Sequence, residues 1–386
     1  MTLPYHRAWN GRVTSMAARF NNLTVARFAA ALMVYMSHIQ PPESAAITSD
    51  AVRRFVGNGY VGVSFFFIVS GFVLAASNLG KFDTINVRGV ASFYWKRAAR
   101  IVPLWLVASS PFIWKAATTD GHGLWQFLTF SQAWDPDLSV AFGLLAVAWS
   151  LSVEMFFYLV FPFLAFAIKR LDGAWAPACL IALGLLIPTA GAVFFAIRSD
   201  LAHLPITDAG SPHYWLYRFP PMRLGEFLTG IGLYMALART RETMRPARHS
   251  LGLMAVAGLT VTMATIPTGG AWLVVPAVFF FALIVWYLAR IETAGIKCTS
   301  SALIMLGEAS FALYLVHHFY FKKKLFISLL GDMDLHSAQV ATLMLAIASS
   351  VGLHLLVEAP AREWLLRLGK VRSTMPAPVV DETVPA

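Results

Sequence analysis

The sequence predicts an all-α, polytopic membrane protein with about ten transmembrane helices and no separate soluble domain. Three observations carry this. First, 58% of the 386 residues are hydrophobic, against about 45–50% in a soluble globular domain. Second, only 13% are charged, roughly half the share of about 25% that a water-exposed surface needs. Third, the apolar residues gather in runs of about 20, the length that crosses a bilayer as a helix. A single soluble domain, a disordered chain and a coiled coil do not fit these figures. Lipid facing most of the surface does.

Ten runs qualify, at 23–42, 59–79, 98–117, 143–168, 178–197, 219–238, 251–267, 271–289, 303–321 and 339–357. They define a membrane domain over 23–358, a cytoplasmic arm at 1–22 and a basic cytoplasmic tail at 359–386. The tail from Ser373 is rich in Pro, Val and acidic residues and is expected to be disordered. The arm is polar and basic, and the first apolar run is long enough to span, so no cleavable signal is expected. The formal charge of +10 does not point to nucleic acid, because the basic residues sit in short clusters between apolar runs. Most fall on one side if both termini are cytoplasmic, as lipid-exposed proteins orient themselves. Cys179 and Cys298 are far apart without a CxxC pattern, so neither a disulfide framework nor a zinc site is expected.

Ionisable groups within spans are costly, and each is a candidate functional residue. The first span holds Arg27 and His38 in RFAAALMVYMSH. Eleven residues at 100° each return to within about 20° of the same face, and at 1.5 Å each separate the two by about 16 Å. They read either as a snorkelling arginine and a packed histidine, or as the two ends of one polar stripe. The second span, GVSFFFIVSGFVL, carries Gly62, Ser64, Ser70 and Gly71, which suit close helix packing; Ser64 or Ser70 could also line a polar site. The third is preceded by FYWKRAARIVPLW. Its Lys96, Arg97 and Arg100 read either as positive-inside anchors or as a phosphate-recognising cluster. Pro103 allows a helix start or kink there.

The fourth span opens AWSLSVEMFFY and, entering from the outer face, places Glu154 about 7 Å below Trp149. A carboxylate at that depth needs a partner. His38 is the expected one, since a carboxylate would orient the imidazole for general-base work; a structural pair with an arginine is the competing reading. Ser150 and Ser152 are near enough to offer hydroxyls. The fifth, seventh, eighth and tenth spans rest on apolar length alone. The sixth begins RFPPMRLGEF, where Arg223 and Glu226 are spaced for an i, i+3 pair. The ninth holds GEASFALYLVHH. His317 and His318 point about 100° apart, which argues against a two-histidine metal motif. With no HExxH and no three-ligand cluster, no metal is expected. The run Lys322–Lys324 breaks the charge bias; head-group snorkelling, an anionic partner or a misplaced ninth span would each explain it.

Taken together these stretches resemble the membrane-bound acyltransferase-3 family of bacterial O-acyltransferases. The resemblance runs from about Val25 to Arg362. It rests on R-x10-H (Arg27, His38), GVSFFFIVSG (Gly62 to Gly71), KRAARIVP (Lys96 to Pro103), WSLSVE (Trp149 to Glu154), RLGEFLTG (Arg223 to Gly230), LGEASFALYLVH (Leu306 to His317) and VEAP (Val357 to Pro360). Two positions depart from the family's pattern. Lys96 stands where Arg is usual, which weakens bidentate phosphate contact, and Phe311 stands where Tyr is frequent. No soluble esterase-like domain of the kind fused to some relatives is expected.

The resemblance implies a multi-pass enzyme of the bacterial inner membrane. It would take an acyl group, usually acetyl, from cytoplasmic acyl-CoA to a hydroxyl of a glycan or lipid-linked glycan at the outer face. No permanently bound cofactor is expected; acetyl-CoA is the donor substrate, and nucleic acid is no partner. In that scheme Arg27, Lys96, Arg97 and Arg100 hold the donor. His38 is general base or transient acyl carrier, Glu154 orients it, and His317 joins the catalytic group. Ser152, Arg223 and Glu226 are substrate-binding candidates, Arg223 for an oxyanion on electrostatic grounds alone. The alternative is a transporter that uses Arg27, His38 and Glu154 as an ion or proton relay. It has no use for the basic cluster, and no paired discontinuous helices suggest inverted repeats.

Overall fold

The computed structural model describes residues 20–38, 49–171, 173–240, 249–321 and 335–374. Among them there are helices and no strands. A helix forms on each of the ten apolar runs: α1 (Asn21–His38), α2 (Gly62–Asn78), α3 (Val87–Ala117), α4 (Trp149–Ile168), α5 (Ala176–Ile197), α6 (Pro220–Arg239), α7 (His249–Thr265), α8 (Val274–Thr293), the pair α9 (Ser301–Glu308) and α10 (Ser310–Phe321), and α11 (Leu335–Leu353). A final helix, α12, spans Ala359–Thr374.

Five helical stretches among the described residues are long and apolar enough to cross a membrane, six if the bent α9–α10 pair is one span. The ten expected spans are therefore ten helices on apolar runs, of which fewer meet that criterion. Helix α7 is too short to meet it, and the helices α1, α3 and α6 also fall outside it. The last three carry Arg27, the Lys96–Arg100 cluster and the Arg223–Glu226 pair, so the polar residues of interest lower their own helices' hydropathy. The α5 helix is the opposite case. Leu183, Leu186, Val193, Phe194 and Ile197 are all exposed along it, as a surface facing hydrocarbon would be.

Helix boundaries differ from the apolar runs where polar residues take part. The α3 helix begins at Val87, eleven residues before its run, because Asn86 caps it: its Oδ1 accepts from Gly89 N at 2.7 Å. Glu292 of α8 accepts from the backbone N–H groups of Asn21 and Asn22 at 2.6 and 2.9 Å. An anion on those orphan donors anchors the start of α1. The expected ninth helix is broken at Ala309, its halves 61° apart. The tail expected at 359–386 is helical over Ala359–Thr374, and Trp95 Nε1 donates to Leu365 O at 2.9 Å to tie it to α3. Between α11 and α12, His354–Glu358 form a π-turn. Pro360 has no N–H to donate and crowds the carbonyl four residues before it. The arm at 1–19, Lys322–Lys324 and the tail beyond Thr374 lie outside the described residues.

The core sits where α2 and α6 cross, with α6 also packed along α5. The crossing depends on glycine. A Cβ on Gly71 would run into the Phe227 carbonyl, and one on Gly230 into that of Ile68. Backbones touch at both points, as small residues permit between apolar helices. Gly71→Ala is expected to lower stability by about 1–3 kcal/mol, the usual cost of overpacking. A thermal melt of the purified protein checks this; an unchanged melting temperature would mean that the helices can separate freely.

Candidate active site

The candidate residues fall at two levels of the bundle. His38 is the last residue of α1 and is exposed, while His317 on α10 is buried. Their rings lie 5.3 Å apart, edge to face. Each imidazole is turned by a backbone carbonyl. His38 Nδ1 lies 2.8 Å from Val34 O, and His317 Nδ1 lies 2.5 Å from Tyr314 O. A carbonyl only accepts, so in the neutral rings Nδ1 carries the proton and Nε2 the lone pair. The His38 arrangement is local: the carbonyl one turn back at a helix C-terminus is an available acceptor. Behind His317, Tyr314 Oη hydrogen-bonds Ser150 Oγ at 2.7 Å and donates to Val147 O at 3.0 Å. That links α10 to the start of α4.

The second level lies towards the other end of α1. Glu154 accepts from Tyr158 Oη, one turn on, and from Ser70 Oγ at 3.4 Å. Arg27 is within electrostatic reach of Arg100, Glu358, Glu154 and Tyr158. Arg97 is within reach of Tyr158, Arg100 and Glu154, and its guanidinium lies 5.9 Å from the Tyr158 ring centroid. Lys81 lies close to Lys96 and Arg97. Cations thus outnumber the two carboxylates, Glu154 and Glu358, and a group of that balance can hold an anion. The three basic-motif residues do not share one environment: Lys96 is exposed, whereas Arg97 and Arg100 are half-buried.

The expected pairing of His38 with Glu154 is not formed. Ser150 is at the level of Tyr314, and Glu154 lies four residues, about 6 Å, further along α4. His317 is itself one turn beyond Tyr314 in the opposite sense. The carboxylate is therefore too deep, and it joins the arginines. Carbonyls take over the orienting role assigned to it.

Ser152, Arg223 and Glu226 take other partners, and of the three Arg223 comes within electrostatic reach of Tyr314. Ser152 Oγ accepts from Ala133 N at 3.3 Å and holds the loop before α4. Arg223 and Glu226, both almost wholly buried, pair at 2.9 Å, and Arg223 Nη2 donates to Ser64 Oγ at 3.0 Å. The guanidinium also lies 5.1 Å from the Phe67 ring centroid. The His318 ring lies edge-on to Phe112, 5.7 Å between centroids. Among the described residues, no three His, Cys, Asp or Glu side chains are grouped to hold a metal ion.

Three further polar residues join the lower level without having been singled out. Tyr158 is signalled by its i, i+4 spacing from Glu154. Glu358 lies in the VEAP stretch and hydrogen-bonds His354 at 3.0 Å. Lys81 reads in sequence only as an orienting charge. Nothing local marks Glu358 as a neighbour of Arg27.

A family model described as an acyltransferase domain matches residues 20–357. The chain is also 32% identical over 390 residues to "Acyltransferase MdmB" of Streptomyces mycarofaciens, covering 94% of this chain and 97% of that protein. No solved structure matches.

Proposed function

The chain belongs to the acyltransferase-3 family, and from that premise we propose that it moves an acyl group, acetyl first among candidates, from acyl-CoA to a hydroxyl of a surface or periplasmic glycan. It is an acyltransferase of groups other than aminoacyl. The observation that carries the finer reading is the division of the site. A pair of neutral-tautomer imidazoles lies at one end of α1 and an excess of arginine and lysine at the other. Phosphate groups suit the second, and deprotonation of a hydroxyl suits the first. The separation along α1 is about 16 Å, short enough for an extended pantetheine arm to bridge.

In the reaction, the acceptor oxygen attacks the thioester carbon while an imidazole Nε2 takes its proton. The C–O bond forms, the C–S bond breaks, and the thiolate of CoA leaves and takes the proton back from the imidazolium. The setting we propose is a bacterial inner membrane with both termini cytoplasmic, from the distribution of basic residues. The test is release of free thiol from acetyl-CoA by the purified protein with envelope glycan added, alongside mass spectrometry of surface glycans with and without the gene. Absence of acyl-CoA binding, together with unchanged glycan acylation, would overturn the reading and return the relay alternative.

The two environments in the basic motif make a sharper expectation. Arg100→Gln should weaken acyl-CoA binding about tenfold, the size of one charge-assisted contact. Lys96→Gln should change it by less than about threefold, because an exposed charge is screened. Binding of radiolabelled acyl-CoA to protein in nanodiscs measures both. Equal effects would show that the cluster acts only through its overall field.

A further inference from the structure

A cavity of about 150 Å³ opens at the His38 end of the bundle, lined by Tyr60, His213, Tyr217, Gly269 and Ala271. None of these residues has a role in the site described above. The walls are aromatic. The Tyr60 and Tyr217 rings lie 5.4 Å apart, His213 and Tyr217 5.2 Å, and Trp149 backs Tyr217 at 4.7 Å. Tyr60 Oη donates to Gly270 O at 2.8 Å, which holds the loop that forms the rim. Gly269 in that loop has φ +80°, a conformation that other residues adopt only with strain.

One polar atom of the cavity wall lacks a partner. His213 Nδ1 is buried and has no hydrogen-bond partner among the described residues. Burial, and then the charge of Arg218, pushes its imidazole down to about 4, so the ring is neutral at pH 7. A neutral imidazole both donates and accepts. A buried polar atom left unpaired costs free energy unless a ligand or water meets it.

Neighbours along the chain connect the cavity walls to the imidazole pair. Gly59, next to Tyr60, packs on the Met33 carbonyl and on the side chain of Ser37, the neighbour of His38. Trp149 is next to Ser150, which holds Tyr314, one turn from His317. A ligand that shows flat apolar faces and carries hydroxyls around its edge fits these walls. That is a sugar ring, and the volume suits one ring rather than an extended chain. We propose that this cavity holds a single sugar ring of the acceptor, packed against Tyr60, Tyr217 and His213. The proposal rests on the glycan-acceptor reading and names its binding subsite.

The test is saturation-transfer difference NMR on the full chain in nanodiscs, with methyl glycosides of glucose, galactose, mannose and rhamnose as probes. At least one glycoside should receive saturation at its ring protons. The signal should fall by at least about threefold in Tyr217→Ala, as loss of an aromatic contact implies, and equally in Ala271→Trp, which fills the space. His38→Ala should leave it in place. Retained acyl-CoA binding shows that the two cavity variants are folded. Saturation of none of the four glycosides overturns the proposal, as does a signal unchanged in both variants. If glycosides bind but acetyl-CoA is never cleaved, the subsite stands and the acyl-transfer reading fails. If acetyl-CoA is cleaved but no glycoside binds, the reverse holds.

Discussion

His38→Ala and His317→Ala are each expected to lower acyl transfer by about 10²–10⁴-fold, the usual contribution of a general base or of its positioning. Acyl-CoA binding should be nearly unchanged in both, because the cations lie at the other level of the bundle. The two histidines should not contribute equally in kind. His38 is exposed, and its Nδ1 is held by Val34 O, so its Nε2 lone pair can meet a hydroxyl arriving from outside. His317 is buried against the His38 ring and is held by Tyr314. Glu154→Gln separates this scheme from one in which a carboxylate orients the base. With Glu154 bonded to Tyr158 and Ser70, the variant should weaken acyl-CoA binding more than it slows turnover of bound donor. Single-turnover thiol release at saturating acyl-CoA measures the distinction. A Glu154→Gln variant that binds normally but turns over no better than His38→Ala would restore the direct carboxylate–imidazole arrangement.

Arg223→Met is expected to destabilise the protein by about 3–5 kcal/mol, because it leaves the Glu226 carboxylate buried without its partner. The pair is about as enclosed as any in the structure, with side-chain exposures of 1% and 2%. It ties α6 to Ser64 of α2 at the crossing that forms the core. Removing both charges is another matter. Arg223→Met with Glu226→Leu should recover most of the loss, since two apolar side chains of similar volume can replace a buried ion pair at little net cost. Thermal unfolding of the purified single and double variants decides this. A single variant as stable as the parent would mean that the pair carries no structural role and that Arg223 is available for substrate chemistry.

Much of this was legible in the chain. Each apolar run became a helix, because burying an unpaired backbone in an apolar setting is costly and a helix pairs it internally. The 11-residue spacing of Arg27 and His38 separated them by about 16 Å along one helix. Arg223 and Glu226 pair at i, i+3 as their spacing suggested. Less was legible wherever polar side chains extend or break a helix. The capping of α3 by Asn86, the bend at Ala309 and the π-turn at His354–Glu358 are set by single polar contacts, prolines or close packing, which hydropathy averages away.

The partners of the candidate residues were the least legible part. Sequence depth alone made His38 and Glu154 plausible neighbours, since both lie in the half of the bundle read as outer. Their true levels depend on how far α4 slides along α10, and the Ser150–Tyr314 bond sets that slide. Glu358 reaches the surroundings of Arg27 across more than three hundred residues of chain, a distance no local pattern spans.

The sequence by itself determined the helices and which few polar residues are unusual, because hydropathy and helical period are properties of neighbours along the chain. Only the tertiary structure decided which of those residues meet. A helix can rotate and slide against its neighbour without changing its own sequence pattern, and contacts such as Gly71 on Phe227, Ser150 with Tyr314 and Arg223 with Ser64 select one register among many.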